Sequence, residues 1–400
     1  MIVGVPGETA VDEARVALVP EVAGDLVDDG HEVHVAAGVG ASADYTDEEY
    51  EAAGCTVSDR ETVFDEAEII LQVRALGATD DPDLDVYRDG QIVIGLLGPY
   101  DISDETLDAL AERNVSAFSL ELIPRISRAQ SMDALSSMAS LGGYKAALVA
   151  AEELPKMFPL EMTAAGTIRP AEVFVIGAGV AGLKAIATAE RLGASVRGYD
   201  IRLEVKREVE SLGADFVELD LETEGSGDDE GYAVEMGEEF YEQQRKQLTR
   251  VVADSDVVIT TAAIPGAPAP ELVTTEMIEN MDAGSVIIDL SAATGGNCEP
   301  TVADERVEHE GVTILGPTDL PSTLSHTASE QLASNMKNVL GNLLDEGELD
   351  IDLTDEIIDS TLLTHDGTIR NPHRDDGDED ESEADDADED GEEQEADDAE

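Results

Sequence analysis

VFVIGAGVAGLKAIATAERLGASVRGYD, residues 173–200, decides the fold of this 400-residue chain. A β-branched run enters a turn in which Gly177, Gly179 and Gly182 keep GxGxxG spacing. An Ala-rich segment follows, and a second apolar run ends at Asp200, 23 residues after Gly177. Strand, glycine turn, helix and strand form one βαβ unit, a context that gives the glycines a meaning their bare spacing lacks. Gly177 permits the tight turn, Gly179 lets the backbone approach a pyrophosphate, and Gly182 allows close helix–strand packing. A helix starting near Val180 aims free N–H groups and its positive dipole end at that pyrophosphate. Asp200 stands where a carboxylate accepts from adenosine ribose hydroxyls and repels a 2′-phosphate. NAD(H) is therefore favoured over NADP(H), although Arg202, two residues on, offers a phosphate a partner.

Further strands lie on both sides of this unit. MIVGVP, HEVHVAAG, EIILQV, QIVIGLL and SAFSLE read as strands before residue 122, with helices near 20–29 and 102–114 and a long Ala-rich helix over about 133–153. After the turn-like TAAGTIRP come strands at AEVFVIG, SVRGYD, DFVEL, VVIT, SVIIDL and TILG, with helices near 180–192, 203–212 and 239–252. A helix near 327–346 and a short end, DLTDEIIDSTLLTHDGTIRNP, complete the folded part. Such alternation predicts an α/β protein with two doubly wound parallel sheets. More than 35 residues separate DFVEL from VVIT, opening with the polar ETEGSGDDEGYAVEMGEEF. Connections this long are usually functional or disordered, so an idle insertion and a working loop both stand.

Composition sets the chemistry that is open to the chain. It carries 92 acidic residues against 23 basic ones, a net charge of −69. That balance excludes nucleic-acid binding through the phosphate backbone, which needs clustered Lys and Arg. Residues 375–400 hold 18 of the acids and should be disordered, yet the remainder still carries −51. With 6 Lys against 17 Arg, the surface reads as adapted to a high-salt cytoplasm, where carboxylates keep a protein hydrated. Cys55 and Cys298 are too few for a disulfide framework, which points to a reduced interior. No signal peptide is visible at MIVGVPGETA and no apolar run reaches 18 residues. Acid density this high makes adjacent carboxylate pairs uninformative about metals, and no metal site is expected. His31 and His34 read as surface or packing residues, His326 as capping or packing, and Cys298 as a packed residue.

RISRAQSMD, residues 125–133, gathers two arginines, a glutamine and an aspartate in this acidic chain. Ser131 or Asp133 could simply cap the helix that follows. A cap explains neither arginine nor Gln130.

With these segments in order, the chain resembles the soluble NAD(H)-binding component of proton-translocating nicotinamide nucleotide transhydrogenase. The resemblance runs from MIVGVPGE to about Pro372 through RISRAQSMDALSS, the glycine turn with YDIR, GYAVEM, TTAAIPGAPAPELVT and GSVIIDLSAATGGNCE. It implies two Rossmann-like domains around a cleft: 1–135 with 325–372, then the NAD(H)-binding domain at 136–324, with the acidic tail at 373–400. It also implies that Arg125, Gln130, Asp133 and Ser136 surround the nicotinamide end. Arg125 would hold the carboxamide or phosphate region, Asp133 and Ser136 the carboxamide and ribose, and Gln130 would reach the incoming NADP(H). Arg128 is a second-rank contact. Ile126, Ser127, Ser131, Met132, Val175, Ala181, Ile201, Ala263 and Ile264 join the motif residues in the implied cofactor set. Gly231, Tyr232 and Met236 belong to a mobile loop that closes over the nucleotide.

Alanine dehydrogenase is the related alternative. That family handles its substrate with a lysine and a histidine in the first domain. Here LQVRALG offers Arg74 for the lysine, and IGLLGPYD has no histidine; Arg15 alone matches the substrate-side pattern. Hydride transfer between two nicotinamides needs no proton transfer at the reacting carbon, so the missing acid–base pair fits the transhydrogenase reading. A non-catalytic NAD-binding regulatory subunit is a further alternative. The resemblance implies membrane-spanning and NADP(H)-binding partner subunits on separate chains, and peripheral docking on the cytoplasmic face of the membrane. It further implies a homodimer, using the helix near 133–153 and its surroundings.

Overall fold

The computed structural model describes residues 1–79, 84–221, 237–345 and 347–373. GYAVEM, with Gly231, Tyr232 and Met236, and the acidic tail from residue 374 on lie outside the described residues.

Alternating strands and helices build the first half: β1 (Ile2–Val5), α1 (Pro20–Asp28), β2 (Glu32–Ala36), α2 (Asp47–Ala52), β3 (Thr56–Ser58), α3 (Arg60–Glu66), β4 (Ile69–Arg74), β5 (Ile92–Leu96), α4 (Asp104–Glu112), β6 (Ser116–Ser119) and α5 (Ala134–Glu153). Several helices start where a side chain accepts from the exposed backbone N–H groups of the first turn. Thr46 and Glu49 form a capping box at α2, Asp59 caps α3, Ser103 caps α4 and Asp133 caps α5. A hairpin, β7 (Glu161–Thr163) and β8 (Gly166–Ile168), occupies the stretch expected to be a turn. The second half runs β9 (Glu172–Ile176), α6 (Val180–Arg191), β10 (Ser195–Tyr199), α7 (Lys206–Ser211), β11 (Asp215–Phe216), α8 (Glu238–Ala253), β12 (Val257–Thr260), α9 (Thr275–Ile278), β13 (Val286–Asp289), β14 (Arg306–His309), β15 (Val312–Leu315) and α10 (Ser325–Asn342). A two-stranded turn, β16 (Leu344–Asp345) with β17 (Glu348–Leu349), leads to α11 (Glu356–Thr361), β18 (Leu362–His365) and β19 (Thr368–Ile369).

Two sheets result, in the orders β19-β18-β6-β5-β4-β1-β2-β3 and β11-β10-β9-β12-β13-β15-β14. Their central strands are parallel, as expected. Three edge strands are antiparallel: β18 on β6, β19 on β18, and β14 on β15. Each sheet is covered on both faces. Val3, Leu71 and Ile94 pack with α1 and α10 on one side of the first, while Ile70 and Val93 pack with Leu107 and Leu110 on the other. In the second, Val173, Val175 and Ile259 face α5 and α6, while Phe174, Ile176 and Val258 face α8 and α9. Successive side chains of a strand point to opposite faces, so sheets buried twice need the unbroken apolar runs seen in the sequence.

α5 links the two halves: Ala134 and Met138 lie in the first core, and Ala146, Ala147 and Ala150 lie in the second. It packs against α6 and α10 along most of its length, so it is not the open apolar face expected for a dimer. Exposed apolar side chains gather instead around the hairpin, at Met157, Leu160, Met162 and Ile168. Among the described residues, no helix is long and apolar enough to cross a membrane, and no group of His, Cys, Asp and Glu has metal-site geometry.

Candidate functional site

The glycine turn after β9 opens onto a cavity of about 310 Å³. Gly177 has φ +95°, and a Cβ there would sit 2.5 Å from Thr261 Oγ1. A Cβ on Gly182 would lie 1.9 Å from the Gly177 carbonyl oxygen, so α6 can cross β9 this closely only with glycine. Gly179 is different: nothing lies within 4 Å of its absent Cβ. Two glycines thus serve packing, and the third leaves space. No side chain caps the N-terminus of α6, so its first N–H groups and positive dipole end face this space.

Asp200 closes the turn from the end of β10. Its Oδ2 accepts from Ala178 N–H at 2.7 Å, and the backbone N–H of Arg202 donates to Oδ1 at 2.9 Å. The Arg202 guanidinium donates to both carboxylate oxygens, each at 2.9 Å. The arginine that offered a 2′-phosphate a partner is therefore paired with the very carboxylate that would repel one.

The floor is apolar with a polar insert. Ile176 and Leu272 lie beside Tyr199 and Gln244, and Gln244 Nε2 donates to Tyr199 Oη at 2.8 Å. Burial pushes the Tyr199 hydroxyl up to about 12, so it stays protonated. Gln244 is only 2% exposed, and its Oε1 has no hydrogen-bond partner among the described residues. Beneath the neighbouring wall, Asn297 Nδ2 donates to the carbonyls of Ala262 and Pro270, both at 2.8 Å, and its Oδ1 accepts from Ala262 N–H. Buried Asp289 accepts from Thr260, Ser291, Cys298 and Thr301 and fixes the loop that carries Asn297.

Of the residues chosen from the sequence, Arg125, Ser136, Gly177, Gly179, Val180, Ala181, Asp200, Ile201, Arg202, Ala263 and Ile264 line the cavity. Ile126, Ser127, Gln130, Ser131, Met132, Asp133, Val175 and Gly182 do not. Val175 is a core side chain of β9 and Met132 a core side chain of the first half, so neither side chain faces a ligand. Gly182 lies beneath the turn. Asp133 caps α5: Ser136 N–H donates to Oδ1 at 2.8 Å and Ser136 Oγ to Oδ2 at 2.5 Å. Gln130 is exposed beyond the cavity rim. Tyr199, Tyr241, Gln244, Thr261, Pro270 and Leu272 line the cavity without having been foreseen. Tyr199, inside the SVRGYD strand and directly before Asp200, carried the one available signal.

The other candidates pack. Cys298 is buried, and burial pushes its thiol well up. His31 and His34 are buried, and His326 stacks on Tyr45 at 4.6 Å.

A second cleft, of about 1090 Å³, lies between loops of the two halves. Asp12, Asp101, Glu121, Asp304 and Asp319 line it, with Arg74. Arg15 is held at its edge by Glu13 at 2.5 Å and Asp319 at 2.7 Å. A cleft of this charge repels a carboxylate substrate.

Residues 4–142 match the family description "Alanine dehydrogenase/PNT, N-terminal domain", and residues 146–372 match its C-terminal domain. The chain is 43% identical to the first part of the NAD(P) transhydrogenase alpha subunit of Rickettsia prowazekii, over 91% of this chain and 94% of that one. The protein of the same name from Rhodospirillum rubrum is 42% identical over 93% of this chain and 98% of its own. A solved transhydrogenase from Sinorhizobium meliloti superposes with a TM-score of 0.82 at 40% identity, covering 92% of this chain and 100% of that one. Identity to the alanine dehydrogenase of Mycolicibacterium smegmatis is 29%, over 92% of this chain and 94% of that protein. The chain therefore belongs to the alanine dehydrogenase/PNT family, with higher identity to its transhydrogenase alpha subunits than to its alanine dehydrogenases.

Proposed function

We propose that this chain is the NAD(H)-binding component of a proton-translocating NAD(P) transhydrogenase, passing hydride to or from NADP(H) held by a partner subunit. One observation carries the reading: a dinucleotide cradle opens beside an exposed Gln130, while the neighbouring cleft holds no acid–base pair fit for a carboxylate substrate. The cradle fits the dinucleotide on its own geometry. Gly179 leaves room for a pyrophosphate, the uncapped α6 N-terminus supplies donors, and buried Gln244 Oε1 lacks a partner among the described residues.

Bound NAD(H) supplies the reactive C4 carbon and its hydride. The protein's part is orientation and exclusion of water. Gly177, Gly179, Val180 and Ala181 present backbone to the pyrophosphate, and Asp200 addresses the adenosine ribose. Arg125 and Ser136, at the α5 side of the cavity, hold the nicotinamide end, with Asp133 fixing the Ser136 hydroxyl. Gln130 faces the partner. Tyr232 and Met236, with Gly231, would form the closing loop.

The division at 1–135 with 325–372 and 136–324 follows the two sheets, with the boundary inside the shared helix. Membrane-spanning and NADP(H)-binding subunits would be separate chains on the cytoplasmic face, a reading supported by the relatives' names, which describe the opening portion of a divided alpha subunit. A homodimer would use the apolar hairpin around Met157, Leu160, Met162 and Ile168. The acidic surface indicates a salt-rich cytoplasm.

The test uses the full chain in molar KCl. NADH should bind, and hydride should pass to an oxidised nicotinamide acceptor only when an NADP(H)-binding subunit is added. Formation of NADH from alanine and NAD would overturn the proposal.

A further inference from the structure

Along the loop that carries Gln130, structural tethers alternate with the outward side chain. Arg128 grips the Asp355 carboxylate with both terminal nitrogens, at 2.7 and 3.0 Å, and reaches Asn342 Oδ1 at 3.2 Å. Ala129 is buried in the first core. The Ser131 carbonyl accepts from Asn335 Nδ2 at 2.9 Å and from Asn338 Nδ2 at 3.2 Å. Met132 returns to the core and Asp133 caps α5. Gln130, between them, makes no side-chain hydrogen bond among the described residues.

The tethers come from two elements. Asn335, Asn338 and Asn342 lie three and four residues apart and so share one face of α10. Asp355 caps α11 through the N–H groups of Ile357 and Ile358, and α11 leads directly into β18 at the sheet edge. The buried Asn335 has an unpartnered Oδ1, so among the described residues the Ser131 carbonyl is its amide's one hydrogen-bond partner.

We infer that Arg128, through Asp355 and the asparagine face of α10, is a positioning residue that sets where Gln130 is presented to the partner subunit. The inference rests on the proposed transhydrogenase function for its rate effect, but not for its geometry. A part-exposed ion pair contributes little to stability, so its consequence should be positional. A fork on a carboxylate fixes direction, as a lysine ammonium does not. Misplacement of about 1 Å can cost on the order of 100-fold in rate.

Two readouts on the full chain in molar KCl test this. Cys55 and Cys298 are buried, so Gln130→Cys introduces an accessible thiol for a spin label. In that background, Arg128→Met should increase label mobility at position 130. In the unlabelled protein, Arg128→Met and Asp355→Asn should each lower the maximal hydride-transfer rate about tenfold, with NADH affinity held within about twofold. The double variant should be no slower than either single one. Unchanged label mobility, or NADH affinity falling in step with rate, would overturn the positioning role. If label mobility rises while the wild type itself passes no hydride to any NADP(H)-binding subunit, the geometry stands and the transhydrogenase reading fails.

Discussion

Gln244 holds an amide oxygen that nothing among the described residues bonds, buried in a cavity floor made mostly of Ile176, Leu272 and Tyr199. A buried acceptor left unpaired costs about 1–3 kcal/mol, which the ligand-free fold carries and a ligand with a matching donor relieves. Gln244→Leu should therefore leave the melting temperature of the free chain unchanged or higher while raising the Kd for NADH about tenfold. Equal NADH affinity in fluorescence titrations of the two proteins would remove Gln244 from the site. Glu8 makes a second residue-scale prediction. It accepts from the N–H groups of Val73 and Arg74 at 2.7 and 2.9 Å, yet burial dominates and pushes its carboxyl from 4.5 up to about 7. A carboxyl raised in the folded state contributes stability that is complete below its unfolded value and is lost as pH rises through the folded one. The unfolding free energy should thus fall between pH 4.5 and 7 by an amount that disappears in Glu8→Gln, as urea titrations at several pH values would show.

At the scale of the element, α5 joins the two cores and carries the site's Ser136 on its first turn. Asp133→Ala removes the cap and should lower stability by about 1 kcal/mol. It also frees the Ser136 hydroxyl, so hydride transfer should fall further than stability alone explains; an equal fall in both would make Asp133 a cap and nothing more. Gly143 lies where α5 crosses α6, and a Cβ there would stand 2.0 Å from the Ala181 carbonyl oxygen. Gly143→Ala should cost about 1–3 kcal/mol and displace the α6 N-terminus, weakening NADH binding as well; an unshifted melting temperature would contradict it. The elements that were legible in the sequence share a physical reason. β9, α6 and β10 have long apolar periodicity bounded by glycine, and the strands buried on both faces are unbroken apolar runs. α2 and β3 were not legible, because DEEYEA and TVS are short and buried at few positions. β14 and β18 owe their strand form to pairing with β15 and β6, which local sequence does not encode. Gln244 was hidden for the same reason: EFYEQQRKQLTRVVA reads as a polar helix face until α8 closes over Tyr199.

Over the whole molecule the decisive quantity is charge. Residues 1–374 alone carry −51, and the described ion pairs leave most carboxylates without a cation. Repulsion among them opposes the compact state, and salt weakens it, with a screening length of about 10 Å at 0.1 M and about 3 Å at 1 M. Few of the 23 basic residues are spent on neutralising the surface, because several are committed to fixed structure: Arg15 to Glu13 and Asp319, Arg128 to Asp355, Arg202 to Asp200. The salt requirement should therefore belong to the folded halves rather than to the tail. Helical circular dichroism should fall as KCl is diluted well below about 0.1 M and recover in molar KCl. Deleting residues 375–400 removes 18 acids but leaves −51 in place, so the truncated chain should show nearly the same salt midpoint as the full one. A melting temperature independent of KCl would defeat the salt-adapted reading. A midpoint that collapses on truncation would instead assign the repulsion to the tail, which the charge remaining on residues 1–374 argues against.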